Sequence, residues 1–110
     1  MMRSMIVGIG FCVVLATATA AQETKVAKGQ QLFSDKKCTL CHSIGDKGNK
    51  KGPLDGVAAR LSSAEIRQWI TNPKEMAAKA KATRKPEMKQ YDLSKDDVDA
   101  LVAYFETLKK

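Results

Sequence analysis

Two cysteines and the only histidine of the chain lie within five consecutive residues, Cys38-Thr39-Leu40-Cys41-His42. On a helical turn, positions i, i+3 and i+4 share one face, so both thiols and the imidazole would point the same way. Paired thiols can form a disulfide, exchange with other dithiols, bind a metal ion or form thioethers with a porphyrin. The neighbouring imidazole can ligate a metal.

The surroundings of this motif favour haem attachment over the other three uses. A dithiol redox motif is expected beside a βαβ unit, and the sequence predicts none. A structural zinc site needs four ligands, whereas the motif supplies three. A plain disulfide would leave His42 without a role. C-x-x-C-H is the pattern of c-type haem attachment. We therefore predict one covalently bound haem c, with Cys38 and Cys41 as thioether anchors and His42 as a ligand of the iron.

The first 21 residues have the composition of a secretory signal peptide. Arg3 provides a positive charge, residues 5–15 are apolar, and residues 16–21 are small enough for a cleavage site. The apolar stretch is shorter than the roughly 20 residues of a membrane-spanning helix, although an uncleaved anchor is the alternative. We expect residues 1–21 to be removed. Residues 22–110 would then form one exported domain, periplasmic in a bacterium, with no membrane span.

The rest of the chain predicts helices and no convincing strand, so the expected fold class is all-α. Ser62 with Glu65, and Ser94 with Asp97, have the spacing of capping boxes at helix starts. The predicted helices cover residues 24–37 (capped by Thr24), residues 62–72, a short stretch at 74–82, and the residues from Ser94 onward. Residues 44–58 and 83–92 are expected to be irregular, because glycine, proline and polar residues are frequent there.

Three further patterns accompany the cysteine motif: G-x-x-x-F at 29–33, G-P-L at 52–54 and L-x-x-Y at 101–104. In this order, and over nearly all of residues 22–110, the sequence resembles the class I cytochrome c family. The resemblance implies the cytochrome c fold, with several helices around one covalently bound haem. It also implies that the first and last helices cross closely, with Gly29 facing Leu101 and Tyr104.

The resemblance implies two more residues of the site. In the family, a loop proline accepts a hydrogen bond from the histidine ring through its carbonyl, a role that fits Pro53. The sixth iron ligand is usually a methionine in an irregular segment before the last helix, which fits Met88. Met76, in a helix-prone stretch, is the alternative. Three residues are weaker candidates for the haem pocket, Arg60, Trp69 and Tyr91, and Trp69 is interpreted as a core residue.

The predicted function is one-electron transfer between redox partners, not an enzymatic reaction. Histidine and methionine ligands would fill both axial positions of the iron, and methionine raises its potential. Two alternatives stay open. The chain could be a fixed haem subunit of a larger oxidoreductase, or a gas-binding or catalytic haem protein with an open sixth position. We expect a monomer.

The net charge of +7, of which Arg3 contributes +1, concerns partners and not the fold. Basic residues flank the predicted ligands: Lys47, Lys50, Lys51, Lys79, Lys81, Arg84, Lys85 and Lys89. Acidic residues gather at the start of the last helix instead. We expect a basic face that binds acidic surfaces of redox proteins, although such charges often serve solubility alone. A nucleic-acid partner is not expected, because no nucleic-acid-binding motif is present.

Overall fold

The computed structural model describes Gly8 and residues 13–110, and within them the chain is mostly helical. The helices are α1 (Val13–Asp35), α2 (Val57–Arg60), α3 (Ser63–Thr71), α4 (Pro73–Lys79) and α5 (Lys95–Glu106). A 3-10 turn covers Cys38–Leu40, and the strands β1 (Ser43–Ile44) and β2 (Lys47–Gly48) form an antiparallel hairpin. The all-α class is confirmed. The two-residue strands and the start of α2 overlap residues 44–58, which were expected to be irregular throughout.

Helices α1 and α5 cross at Gly29, as the resemblance implied. A Cβ atom at Gly29 would overlap the carbonyl oxygen of Ala100 and lie 2.7 Å from the Cβ of Tyr104. Only glycine lets the backbones approach this closely. The three atoms nearest to that position belong to Ala100 and Tyr104, which lie four residues apart on one face of α5. Leu101 is rotated into the core and is 3% exposed.

The start of α1 differs from the prediction. Thr24 does not cap the helix, because its hydroxyl donates to the carbonyl of Ala20 at 2.9 Å and therefore lies inside it. The alanine-rich residues before it favour helix and extend α1 back to Val13. Of the predicted signal peptide, residues 1–7 and 9–12 lie outside the described part of the chain. None of the helices described is both long and apolar enough to cross a membrane.

The predicted caps are present at the two helices that carry most of the core. Ser62 accepts a hydrogen bond from the Glu65 amide at 3.1 Å, and the Glu65 carboxylate accepts one from the Ser62 amide at 3.0 Å. Ser94 accepts from the Asp97 amide at 3.1 Å. The Asp97 carboxylate does not accept a bond from the Ser94 amide. It pairs instead with Lys28 of α1 at 3.2 Å. The start of α5 is thereby tied to α1.

One apolar cluster joins α1, α2, α3 and α5. Phe33 is 4% exposed and meets the ring of Phe105 edge-on, with centroids 6.0 Å apart. The buried members of the cluster are Phe33, Val57, Ile66, Ile70, Val98, Leu101, Val102 and Phe105. Helix α4 covers Pro73–Lys79, whereas the predicted stretch was 74–82, and residues 83–92 form neither helix nor strand. A cavity opens between this core and that irregular segment.

Candidate functional site

A cavity of about 670 Å³ lies beside the core, within the usual size range of ligand sites. Its apolar wall comes from the core and its surroundings: Phe33, Leu54, Val57, Leu61, Ile66, Ile70, Leu93, Leu101 and Phe105. The rest of the lining includes Cys38 and Leu40 of the 3-10 turn, Ala82, and residues of the irregular segment such as Met88. A largely apolar ligand with a few points of attachment suits such a lining.

The cysteine motif reaches the cavity because the chain turns sharply after α1. Lys37 adopts a left-handed conformation (φ 57°), and Cys38–Leu40 then form a single 3-10 turn. The amides of Cys41 and His42 donate to the Cys38 carbonyl at 3.2 and 2.9 Å. Cys38, Cys41 and His42 all line the cavity, and both thiols are free. Burial raises the pKa of the Cys38 thiol.

The imidazole of His42 is held by a backbone carbonyl. Its Nδ1–H donates to the Gly52 oxygen at 3.0 Å, and the same oxygen accepts the Ser43 amide at 3.1 Å. With the proton on Nδ1, Nε2 is available as a metal ligand. Burial lowers the pKa of His42, the bond to Gly52 opposes that shift, and the charge of Arg84 adds to it. The imidazole is therefore neutral at neutral pH, as a ligand must be.

The prediction that Pro53 accepts this hydrogen bond is wrong, because the acceptor is Gly52. Ser43 and Pro53 pair as a short parallel bridge, in which the Leu54 amide donates to the Ser43 carbonyl at 2.8 Å. Successive carbonyls of an extended segment point in opposite directions. The Gly52 carbonyl faces His42, so that of Pro53 faces away. Pro53 is exposed and does not belong to the described cavity lining.

Met88 lines the same cavity as the cysteine motif and is half-buried. Met76 lies on α4 and is not among the lining residues in the described part of the chain. The structure therefore brings Met88, and not Met76, to the wall of the site. Ligation of an iron atom by Met88 stays a prediction.

Several residues that line the cavity had little or no predicted role in the site. Arg60, Trp69 and Tyr91 line the cavity. Trp69 is half-buried and not a core residue, although its spacing from Ile66 places it on the same face of α3. Of the predicted basic cluster, Arg84 and Lys89 line the cavity; Lys36 and Lys37, which were not predicted, line it too. No local pattern distinguishes Arg84 from its basic neighbours.

The residues present fit a covalently bound haem. The fit rests on the donor set: two thiols, an imidazole with Nε2 free and a thioether line one largely apolar cavity. A zinc site or a dithiol redox site would require neither the methionine nor the apolar wall.

The comparisons with known proteins agree with this chemistry. Over 96 residues the chain is 28% identical to cytochrome c oxidase subunit 2 of Alkalihalophilus pseudofirmus. The aligned region covers 79% of this chain and 27% of that protein. The chain thus spans about a quarter of the length of this relative. No solved structure matches the chain. The family model for cytochrome c matches residues 26–109. The chain therefore belongs to the cytochrome c family.

Proposed function

We propose that the chain is a one-electron carrier with a single covalently bound haem c. Family membership implies haem and electron transfer in general. The observation that carries the proposal is the meeting of Cys38, Cys41, His42 and Met88 at one apolar cavity. Cys38 and Cys41 would anchor the haem, and His42 and Met88 would ligate the iron. When bound, the haem supplies an iron atom that gains and loses one electron.

The residues of the chain contribute orientation and exclusion of water. The Gly52 carbonyl fixes the ring of His42 and its tautomer. The apolar wall keeps the site poorly hydrated, which strengthens the electrostatic effect of every nearby charge. Because His42 and Met88 would fill both axial positions of the iron, no position would be left for a substrate. Electron transfer, and not an enzymatic reaction, is the use that this arrangement suits.

The decisive experiment is intact mass spectrometry after acid–acetone extraction. The wild-type protein should retain the mass of one haem, because thioether bonds survive the extraction. Replacement of both Cys38 and Cys41 by alanine should abolish retention, whereas the control Thr39→Ala, within the same turn, should keep it. Haem released into the organic phase from the wild-type protein would contradict the proposal.

A fixed subunit of a larger oxidoreductase is the second candidate, and the similarity to an oxidase subunit favours it. A free carrier should elute as a monomer in size-exclusion chromatography with light scattering. A fixed subunit should copurify from its native source with further redox polypeptides. Both measurements use protein from the native source, where elution as a monomer supports the free carrier and elution with further redox polypeptides supports the fixed subunit.

We also propose that the protein is exported and cleaved, leaving a mature domain that begins at Ala21 or Gln22. The family match begins at residue 26, after this site, which supports the assignment. The residues of α1 that cross α5, including Gly29 and Phe33, would remain in the mature protein. N-terminal sequencing of the native protein tests the proposal, and a retained Met1 would instead favour an anchored form.

A further inference from the structure

Arg84 lies in the irregular segment between α4 and α5, where its side chain contacts Gly52. It lies four residues before Met88 in the sequence, and both residues line the cavity. Its guanidinium packs against Gly52: a Cβ atom at Gly52 would overlap its Nη1 and lie 2.9 Å from its Cζ. The absence of a side chain at Gly52 is therefore what makes room for the guanidinium.

Gly52 also orients the predicted proximal ligand. Its carbonyl oxygen accepts the hydrogen bond from His42 Nδ1 at 3.0 Å. The guanidinium of Arg84 thus lies against the same peptide that holds the imidazole. Within residues 13–110 it forms no ion pair with a carboxylate of the chain.

We propose that Arg84 is a positioning residue of the iron site. It joins the segment carrying Met88 to the backbone that holds His42, and it keeps a fixed positive charge at the lining of the proposed haem cavity. This inference rests on the proposed haem and on its ligation by both residues.

The two roles have separable physical consequences. Ferric haem carries one more positive charge than ferrous haem, so a nearby cation disfavours the ferric form and raises the reduction potential. The packing role depends instead on the flat guanidinium, which a lysine ammonium does not reproduce. A lysine at position 84 should therefore keep the charge and lose the contact.

The experiment compares Arg84→Gln and Arg84→Lys with wild type and with Lys25→Gln. The control removes the same charge from an exposed position on α1 that does not line the cavity. Two quantities are measured: the reduction potential, and the denaturant concentration at which ferric protein loses its methionine charge-transfer band. Arg84→Gln should lower the potential, changing the equilibrium constant with a reference couple about threefold. It should also lose the band at lower denaturant.

Arg84→Lys should keep the wild-type potential but lose the band as early as Arg84→Gln, and Lys25→Gln should resemble wild type in both measurements. An Arg84→Gln protein that matches Lys25→Gln in potential and band overturns the inference. If the wild-type protein still has covalent haem and the band, the proposed function survives that result. A wild-type protein without covalent haem overturns both.

Discussion

Met88 and His42 belong to segments that are far apart in the sequence, yet both line one cavity. His42 is fixed by the Gly52 carbonyl. Met88 lies on a segment without helix or strand, and its position therefore depends on side-chain contacts such as that of Arg84 with Gly52. The histidine side of the site is thus held by backbone hydrogen bonds, whereas the methionine side is held by packing.

Replacement of Met88 by alanine should remove the sixth ligand of the iron. Ferric Met88→Ala should lack the charge-transfer band of methionine ligation and have a lower potential, because thioether ligation favours ferrous iron. Met76→Ala is the control and should keep both properties, since Met76 lies outside the described cavity lining. Absorption spectra and potentiometry measure the two effects.

The same variants test the gas-binding alternative. Ferrous Met88→Ala should bind carbon monoxide readily, while wild type should bind it poorly because its sixth position is filled. Ready binding by wild type would favour an open site. Loss of the band in Met76→Ala, and not in Met88→Ala, would assign the ligand to Met76.

The local part of this site was predictable from the sequence, and the rest was not. Cys38, Cys41 and His42 lie in one contiguous motif, so their types and spacing, together with the surrounding sequence, predict the chemistry. The choice of Gly52 over Pro53 as hydrogen-bond acceptor depends on the pairing of residues 43 and 53, a contact between distant residues. The position of Arg84 against Gly52 likewise has no sequence signal.

Helix α4 ends in a Schellman motif with an unfavourable residue at its key position. The Lys81 amide donates to the Ala78 carbonyl at 3.2 Å, and the Ala82 amide donates to Ala77 at 2.9 Å. This pattern requires a left-handed residue, and Lys81 has φ 53°. Lys81→Gly should therefore raise the free energy of unfolding by about 0.5–1 kcal/mol.

Urea denaturation measures this effect, and Lys79→Gly is the matched control. Lys79 is the last helical residue of α4, two positions earlier. Glycine there should lower the free energy of unfolding by up to about 1 kcal/mol. Equal destabilisation by both substitutions would show that left-handed strain at Lys81 is not the limiting factor.

The Asp99 carboxylate of α5 links two helices and should make stability depend on pH. It accepts from Arg67 of α3 at 2.7 Å and from Lys95 at 3.1 Å. These bonds lower the pKa of Asp99 below its ordinary value of 3.8. The folded state thus binds the proton less tightly than the unfolded state. The stabilisation is present above pH 3.8 and is lost as the pH falls towards the folded pKa.

Asp99→Asn should therefore be less stable than wild type at pH 6, and the difference should shrink by pH 3. Urea denaturation at the two pH values measures it. Asp92→Asn, at an exposed position before α5, is the control and should show a smaller change. A difference between wild type and Asp99→Asn that stays constant with pH would exclude the ion pair as its cause.

The ends of helices were predictable where a cap is local. The Ser62 and Ser94 caps are present because the capping bonds join residues three positions apart. The start of α1 was misplaced because Thr24 can cap a helix or lie inside one, and the alanines before it decide between the two. The β1–β2 hairpin has only two residues in each strand, too few for an alternating pattern to be visible.

The opening of the cavity combines positive charge with an exposed apolar side chain. Leu40, between the two cysteines, is 69% exposed and lines the cavity. Lys36, Lys37, Arg84 and Lys89 line it as well. We propose that this surface docks acidic patches of redox partners. Transient redox complexes bury little area, and complementary charge speeds their association.

The rate of electron transfer to the physiological partner should fall steeply with ionic strength, because salt screens charge over about 10 Å at 0.1 M. Charge reversal at Lys85 and Lys89, which flank Met88, should lower this rate more than reversal at Lys109 and Lys110, beyond the end of α5. Stopped-flow kinetics measures both. Equal effects at the two pairs, or a rate indifferent to salt, would reduce the basic residues to a role in solubility.

The contact of Gly29 with Ala100 and Tyr104 has a consequence for the order of events during biosynthesis. Some 75 residues separate Gly29 from Tyr104 along the chain, so α1 lacks its contact with α5 until translation is almost complete. Leu101 and Phe105, which close one wall of the cavity, arrive with the same helix. The Cys38 and Cys41 thiols are synthesised long before that wall exists. An enzyme that modifies them before α5 docks meets an open chain, and the last helix then closes over the modification.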